Sequence, residues 1–152
     1  MNLVKTYGTI IKKYADTNPK TARKLIQTGL HLELFRTRHF ATKGMPAAYQ
    51  KLNTLAVKST LFALEHPEQT AWTNIFTPVE ILQCFGLNSL SIECLSSFMS
   101  GFTCEDYFID HAEQEGIAPT LCSYHKDFIG AADSGVIPKP VFSTTTSMIC
   151  DG

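Results

Sequence analysis

Residues 70–80, with the sequence Thr-Ala-Trp-Thr-Asn-Ile-Phe-Thr-Pro-Val-Glu, predict a strand followed directly by a helix. The β-branched and aromatic residues at 70–75 are typical of a strand. Thr77, Pro78 and Glu80 have the spacing of a capping box, with Thr at the N-cap, Pro at the first helical position and Glu at the third. This segment therefore predicts the start of a strand–helix unit.

The same alternation of short strands and helices continues to the end of the chain. Further strands are predicted at 90–93, 117–121 and 141–145, and helices are predicted at 103–116, with Thr103 as its N-cap, and at 124–132. Short links between alternating strands and helices favour a parallel sheet with right-handed crossovers. We therefore expect an α/β fold with a small Rossmann-like or flavodoxin-like parallel sheet flanked by helices.

The residues before this region are predicted to be helical. Asn18 and Pro19 are a strong helix start, because Asn is favoured at the N-cap and Pro at the first helical position. A third helix is expected from about Met45 to His66. The sequence therefore predicts two parts, a helical N-terminal segment at 1–68 and an α/β domain at 69–152. The first helix is indicated by apolar residues at helical spacing: Leu3, Val4, Tyr7, Ile10, Ile11 and Tyr14.

The bulk composition is that of a globular protein with a sizeable core. The chain has 152 residues, of which 44% are hydrophobic and 18% are charged. No apolar run approaches the roughly 20 residues that a bilayer-spanning helix needs, and the N-terminus lacks the pattern of a signal peptide. We therefore expect a cytoplasmic protein without a membrane partner. Five cysteines in such a chain suggest thiols or metal ligands rather than a disulfide framework.

Charge is divided unevenly along the chain. Residues 1–68 carry a net charge of +7, and residues 69–152 carry −8. The basic half is either an anion-binding segment or a set of helices that pack against an acidic body or partner. Because the basic residues are scattered among apolar ones, the second interpretation is favoured. No P-loop or Gly-x-Gly-x-x-Gly motif is present, and no nucleic-acid partner is expected.

Two cysteines, Cys122 and Cys150, each follow a predicted strand. In open α/β folds ligands bind outside the carboxyl ends of the strands, so thiols there are candidate metal ligands. Their separation of 28 residues matches no zinc-finger spacing, and the residues alone leave both a metal role and a structural role open. Structural roles are predicted for Cys84, Cys94 and Cys104, with Cys84 expected to be a buried apolar side chain.

Several polar residues are candidates for contact with a substrate. Asn74 stands at a predicted strand end and is expected to face the crevice. Glu80 is a candidate too, although a capping box would satisfy it locally. Ser123 and Tyr124 are candidates for hydrogen bonds to a metal-bound group or to substrate, as neighbouring groups often tune metal sites. His125 is either a proton carrier or, more simply, a surface histidine.

Several motifs of the second half occur in the order found in one known family. The region 70–152 resembles the 2-hydroxyacyl-CoA dehydratase and benzoyl-CoA reductase family, in the part called the D-component. The resemblance lies in the Pro-x-Glu helix start after a strand, the Cys-Ser-Tyr turn and the final Cys-Asp. In this sequence the landmarks are Trp72 to Leu82, Phe85-Gly86-Leu87, Ile92-Glu93, Gly116-Ile117, Leu121-Cys122-Ser123-Tyr124, Gly130 and Ile149-Cys150-Asp151.

The resemblance implies an iron–sulfur cluster, usually 4Fe–4S, held by three cysteines. Cys122 and Cys150 match two of these ligands, and thiolates are the natural ligands of such clusters. The third ligand of the family lies in a second α/β domain, and no cysteine follows Cys150 in this sequence. The resemblance therefore predicts the first domain of a two-domain subunit, part of a longer protein and inactive alone. It also implies a related partner subunit, in a heterodimer or a homodimer.

The chemistry implied by the resemblance is radical dehydration. An ATP-dependent activator injects one electron, which reduces the thioester carbonyl of a 2-hydroxyacyl-CoA to a ketyl radical anion. The adjacent β-hydrogen becomes acidic enough for water to be eliminated. Two alternatives remain open: a relative with a different cluster that reduces small molecules, and a non-catalytic α/β module that binds a partner. Whether the chain is a lyase, a reductase or no enzyme is left open.

Overall fold

The computed structural model describes residues 2–40 and 42–147. Among these residues, no helix combines the length and apolarity that crossing a bilayer requires. The helices are α1 (Leu3–Thr17), α2 (Pro19–His39), α3 (Ala47–Glu65), α4 (Val79–Cys84), α5 (Ile92–Gly101), α6 (Glu105–Gln114) and α7 (Ser123–Asp133). The strands are β1 (Thr70–Thr73), β2 (Asn88–Ser91) and β3 (Phe142–Thr144), and a short 3₁₀ turn at Pro67–Gln69 precedes β1.

The three strands form one parallel sheet in the order β2-β1-β3. Trp72 of the central strand lies opposite Leu90 of β2 and Ser143 of β3. The central strand is the most enclosed, with Ala71 fully buried. The molecule is thus helix-rich with a small, open, all-parallel sheet flanked by helices, and the predicted α/β fold class is confirmed.

Side-chain caps explain where several helices begin. The Asn2 side chain accepts a hydrogen bond from the Val4 amide at 3.2 Å and starts α1. The Asn18 side chain accepts from the Thr21 amide at 3.2 Å, and Pro19 is the first residue of α2, as predicted. Ser91 Oγ accepts from the Cys94 amide at 3.4 Å and starts α5. Each cap satisfies an amide that the first helical turn leaves unpaired.

Two predicted strands need correction. Residues 117–121 form no strand, because the Leu121 amide donates to the Ala118 carbonyl at 3.0 Å and closes a turn. Pro119 sits at the second position of that turn, where its fixed φ is favourable. The strand expected at 90–93 ends at Ser91, since the Ser91 cap turns the next residues into α5.

Two predicted caps are also wrong. Helix α4 begins at Val79 without a side-chain cap, because the Thr77 hydroxyl donates to Asn74 Oδ1 at 2.6 Å instead. Helix α6 is preceded by Cys104 and has no side-chain cap either. Thr103 adopts a left-handed backbone with φ 57°, and its hydroxyl donates to the Val4 carbonyl of α1 at 3.4 Å. A contact with Asn74, three residues earlier, therefore replaces the Thr77 cap, and a contact with α1 replaces the Thr103 cap.

A single hydrophobic core joins the N-terminal helices to the rest of the chain. The guanidinium of Arg23 in α2 also links the two parts, because it donates hydrogen bonds to the carbonyls of Val136 at 2.7 Å and Gly135 at 2.9 Å. The division into parts at 1–68 and 69–152 stays a prediction, and both parts contribute to this core. Its largest members include Ile11, Ile26, Leu30, Val57, Leu90, Leu95, Met99 and Phe108.

Candidate functional site

The carboxyl ends of the three parallel strands meet at one edge of the sheet, and polar residues follow each strand there. Asn74 comes directly after β1, and Glu93 lies in the first turn of α5 after β2. Thr146 follows β3. Because the strands are parallel, this is the edge at which open α/β folds bind ligands.

Asn74 connects two segments at this edge. It is 3% exposed, and its Nδ2 donates to the Thr146 carbonyl at 3.0 Å. Its Oδ1 accepts from the Thr77 hydroxyl at 2.6 Å and from the Thr146 amide at 3.4 Å. Asn74 thus ties the loop after β1 to the segment after β3, which leads in sequence toward Cys150. Cys150 itself lies outside the described residues.

Glu93 connects the same loop to the start of α7. Its Oε1 accepts from the Ile75 amide at 3.2 Å and lies 3.8 Å from Nε2 of His125. Its Oε2 accepts from the Ser91 hydroxyl at 2.9 Å. His125 is 5% exposed, and neither ring nitrogen has a hydrogen-bond partner among the described residues. The surface position predicted for His125 is wrong, because the first turn of α7 packs against α5.

Cys122 is an exposed thiol at the N-terminal end of α7. Its carbonyl accepts from the amides of His125 at 3.0 Å and Lys126 at 3.1 Å, which fixes its backbone in the first turn. Cys122 follows a turn rather than a strand, contrary to the prediction, yet α7 links it through His125 and Glu93 to the carboxyl edge of the sheet.

Two of the other described cysteines are poor ligands. Cys104 is buried, its thiol donates to the Met99 carbonyl at 3.4 Å, and burial raises its pKa. Cys94 is half-buried beside Thr60, and burial raises its pKa as well. Cys84 is exposed at the end of α4, so its predicted burial is wrong. The short α4 buries only Leu82 and leaves the Cys84 side chain in solvent.

The other predicted substrate residues lie in two places. Glu80 is exposed on α4, near the loop that Asn74 holds. Ser123 stands at the start of α7 next to Cys122 and lines a cavity of about 180 Å³ between α5, α6 and α7. Glu93 joins the two places through its contacts with Ile75 and His125.

Sequence reasoning missed Asp127, which lines the same cavity as Ser123. The side chain is 2% exposed, and neither carboxylate oxygen has a hydrogen-bond partner in the described structure. Burial raises the pKa of Asp127 to about 8, and the nearby carboxylate of Glu105 adds to this. The run His125-Lys126-Asp127 has the polarity of a solvated face, so no hydrophobic pattern in the sequence signals its burial.

Lys126 holds the turn at residues 117–121 in place before α7. It is 5% exposed, and its Nζ donates to Glu113 Oε1 of α6 at 2.5 Å and to the Pro119 carbonyl at 2.8 Å. A buried ammonium requires such partners, because burying it alone is costly. Lys126 therefore holds the 117–121 turn against α6 and α7 and fixes the approach to Cys122.

A separate group of possible metal ligands lies at the far ends of α6 and α7. His111, Glu115 and Asp133 offer ligand atoms within 4.8 Å of one another, and His111 Nε2 is 2.9 Å from Asp133 Oδ2. Glu115 and Asp133 are exposed. The group contains no thiol and lacks the donor chemistry of an iron–sulfur site.

Comparison with known proteins identifies one match. A family model described as 2-hydroxyglutaryl-CoA dehydratase, D-component, matches residues 74–152. The matched region runs from Asn74 and includes Cys122, Ser123 and Cys150. No curated protein matches the chain, and no solved structure matches it.

Proposed function

Because the chain belongs to the 2-hydroxyglutaryl-CoA dehydratase D-component family, we propose that it forms part of an enzyme that eliminates water from a 2-hydroxyacyl-CoA with the help of an iron–sulfur cluster. Cys122 and Cys150 are the proposed cluster ligands within this chain. The observation that carries the proposal is the exposed thiol of Cys122 at the N-terminus of α7, within the region that the family model matches.

The described residues fit such a group at Cys122. An iron–sulfur cluster needs accessible cysteine ligands, and Cys122 is an exposed thiol whose backbone is fixed at the start of α7. Cys94 and Cys104 are disfavoured as further ligands, because burial raises the pKa of both thiols. When bound, the cluster would supply low-potential electrons for reduction of the thioester carbonyl.

The protein's own residues would position and enclose this site. We assign Asn74 to holding the segment after β3 in place through its bonds to Thr146, since that segment leads to Cys150. Glu93 and His125 would fix the start of α7 relative to the loop after β1. Ser123, next to Cys122, is the proposed donor of a hydrogen bond to a cluster sulfur or to the substrate thioester.

The proposed substrate approaches from the carboxyl edge of the sheet. Glu80 is exposed on α4 beside that edge and is the proposed contact for the acyl-CoA. The electrons are proposed to come from an ATP-dependent activator protein, as the family resemblance implies. Ser123 and Glu80 lie on different helices, so the proposed substrate would lie between α4 and α7.

Family membership also suggests a partner dehydratase subunit. Exposed apolar side chains support such a partner, because a large apolar surface on a folded protein commonly marks an interface. Helices α2 and α3 carry many of them, with Leu32 66% exposed and Leu52 62% exposed. The proposed partner surface includes Leu32, Phe35, Phe40, Tyr49, Leu52 and Leu55.

The iron site can be tested by alkylation after anaerobic incubation with ferrous iron and sulfide. We expect visible iron–thiolate charge-transfer absorption and protection of Cys122 from iodoacetamide, read by mass spectrometry of the peptide that contains it. Two thiolates do not complete a 4Fe–4S ligand set, so the bound iron is expected to be labile. Cys122→Ser and Cys150→Ser should each remove most of the absorption.

Cys84→Ser is the matched control, because Cys84 is also exposed but lies on α4. It should leave the absorption unchanged, and Cys84 in the wild-type chain should be alkylated at the same rate with and without iron. Equal alkylation of Cys122 with and without iron would contradict its assignment as a ligand. Loss of the absorption in Cys84→Ser, with the absorption retained in Cys122→Ser and Cys150→Ser, would assign the iron site to Cys84 instead.

A further inference from the structure

The cavity between α5, α6 and α7 contains carboxylate oxygens that nothing in the described structure satisfies. Both oxygens of Asp127 and Oε2 of Glu105 are buried without a hydrogen-bond partner. Both residues line the cavity of about 180 Å³. Buried polar atoms are almost always paired with protein, water or an ion, so three unsatisfied oxygens in one cavity indicate a missing partner.

Apart from Ile109, the rest of the lining also carries oxygen atoms. The hydroxyl-bearing residues Ser96, Ser100 and Ser123 face the same space. Ser96 Oγ donates its proton to the Tyr124 carbonyl at 2.8 Å, which leaves its lone pairs available to accept or coordinate. Carboxylate and hydroxyl oxygens, without nitrogen or sulfur, are the ligands that hard cations such as Mg²⁺ and Mn²⁺ prefer.

No basic side chain belongs to the lining among the described residues. Lys12 of α1 and Lys126 of α7 are used elsewhere, since Lys12 pairs with Asp106 at 2.6 Å and Lys126 pairs with Glu113 at 2.5 Å. The carboxyl groups of the cavity therefore have no ion-pair partner supplied by these lysines. The volume is many times the 10–15 Å³ or so that one water needs, so a cation could keep part of its hydration shell.

We propose that Glu105 and Asp127 bind a divalent cation of the Mg²⁺ or Mn²⁺ class in this cavity, with its remaining waters held by the serine hydroxyls. Helices α5, α6 and α7 each contribute to the site, so the cation stabilises the packing of these three helices. This site differs from the proposed iron site, because it uses oxygen ligands and contains no cysteine, and Ser123 is the residue that borders both.

Titration of the 152-residue chain with Mn²⁺, without added iron, tests the proposal by electron paramagnetic resonance, since bound Mn²⁺ loses the sharp signal of the free ion. We expect one site per chain and a rise in melting temperature with Mn²⁺, because a ligand that binds only the folded state stabilises it. Asp127→Asn and Glu105→Gln should each weaken binding by about tenfold or more, because each removes a charged ligand.

Asp133→Asn is the matched control, because Asp133 belongs to the exposed His111 group, the other set of possible ligands. It should leave the affinity unchanged. Wild-type affinity in Asp127→Asn, or weakened binding only in Asp133→Asn, overturns the proposal. Absence of Mn²⁺ binding to the wild-type chain overturns the proposal too. The unfolding curve of each variant without Mn²⁺ verifies that it is folded.

Discussion

The carboxyl group of Asp127 is buried in α7, with 2% of the residue exposed. The positive charges nearby are committed to other carboxylates, Lys12 to Asp106 and Lys126 to Glu113. Burial therefore favours the neutral acid and raises its pKa to about 8 from the ordinary 3.8. Folding without a bound cation thus requires Asp127 to keep a proton that the unfolded chain gives up.

This difference predicts how stability changes with pH. Between the unfolded pKa of 3.8 and the folded pKa of about 8, the folded state binds one more proton at Asp127. The contribution of Asp127 to the free energy of unfolding is therefore fully present below the lower value. It falls by up to about 1.4 kcal/mol per pH unit between the two values and changes no further above the higher one.

Asp127→Asn should remove this dependence. In metal-free buffer the variant and the wild type should be closest in stability near pH 4, and the variant should become progressively more stable than the wild type up to pH of about 8. Urea unfolding across that range measures the difference. The exposed Asp110 of α6 gives the control Asp110→Asn, and a pH-independent difference between Asp127→Asn and wild type would contradict the assignment.

Helices α6 and α7 pack closely because one position lacks a side chain. A Cβ added to Gly130 of α7 would overlap the carbonyl oxygen of Phe108 and lie 2.7 Å from its carbonyl carbon. These are backbone atoms and cannot rotate away. Gly130 therefore sets the distance between the two helices, and the cavity that holds Asp127 lies in the same packing unit.

Gly130→Ala should destabilise the chain by about 3 kcal/mol or more, because overpacking forces the backbones of α6 and α7 apart. Gly101→Ala, in the last residue of α5, is the control, since a Cβ there meets no atom within 4 Å. It should be neutral or stabilising by up to about 1 kcal/mol. Denaturant unfolding compares the two, and equal stability of both variants would argue against close α6–α7 contact.

Elements whose signals are local could be predicted from the sequence, and those set by distant contacts could not. The start of α2 follows from Asn18 and Pro19, and β1 and β3 follow from short runs rich in β-branched and aromatic residues. The predicted Thr77 cap failed because Asn74, held by Thr146 from 72 residues away, binds the Thr77 hydroxyl. The sequence of residues 77–80 alone gives no indication of that contact.

In the candidate site, too, features with a local sequence signal could be predicted, and features set by distant contacts could not. Cys122 could be singled out from its motif, and its exposure is a property of the fold that agrees with a ligand role. The burial of His125 and Asp127 could not be foreseen, because α7 is enclosed by α5 and α6 on faces that are polar in sequence. Only the assembled helices produce the unsatisfied carboxylates and the raised pKa of Asp127.

At the scale of the whole molecule, the helical N-terminal segment and the α/β part are joined by apolar and polar contacts. Leu30 of α2 and Val57 of α3 belong to the same buried cluster as Leu95 of α5. Polar contacts join the same two parts, since Arg23 donates to Gly135 and Val136. The opposite net charges of the two parts, +7 and −8, favour this association.

The shared core predicts one cooperative unfolding unit rather than two. Removal of residues 1–68 would expose the faces of α5 and α6 that pack against α1–α3, including the fully buried Leu95 and Met99. Each such side chain contributes roughly 1.5–3 kcal/mol when buried, and a domain's net stability is only about 5–15 kcal/mol. We therefore expect a fragment of residues 69–152 to lack a cooperative thermal transition by circular dichroism, whereas the full chain shows a single one.

Addition of a separately produced 1–68 fragment should restore the transition, because it supplies the missing half of the core. A cooperative transition of the 69–152 fragment alone, at the melting temperature of the full chain, would show that the α/β part does not depend on the N-terminal helices.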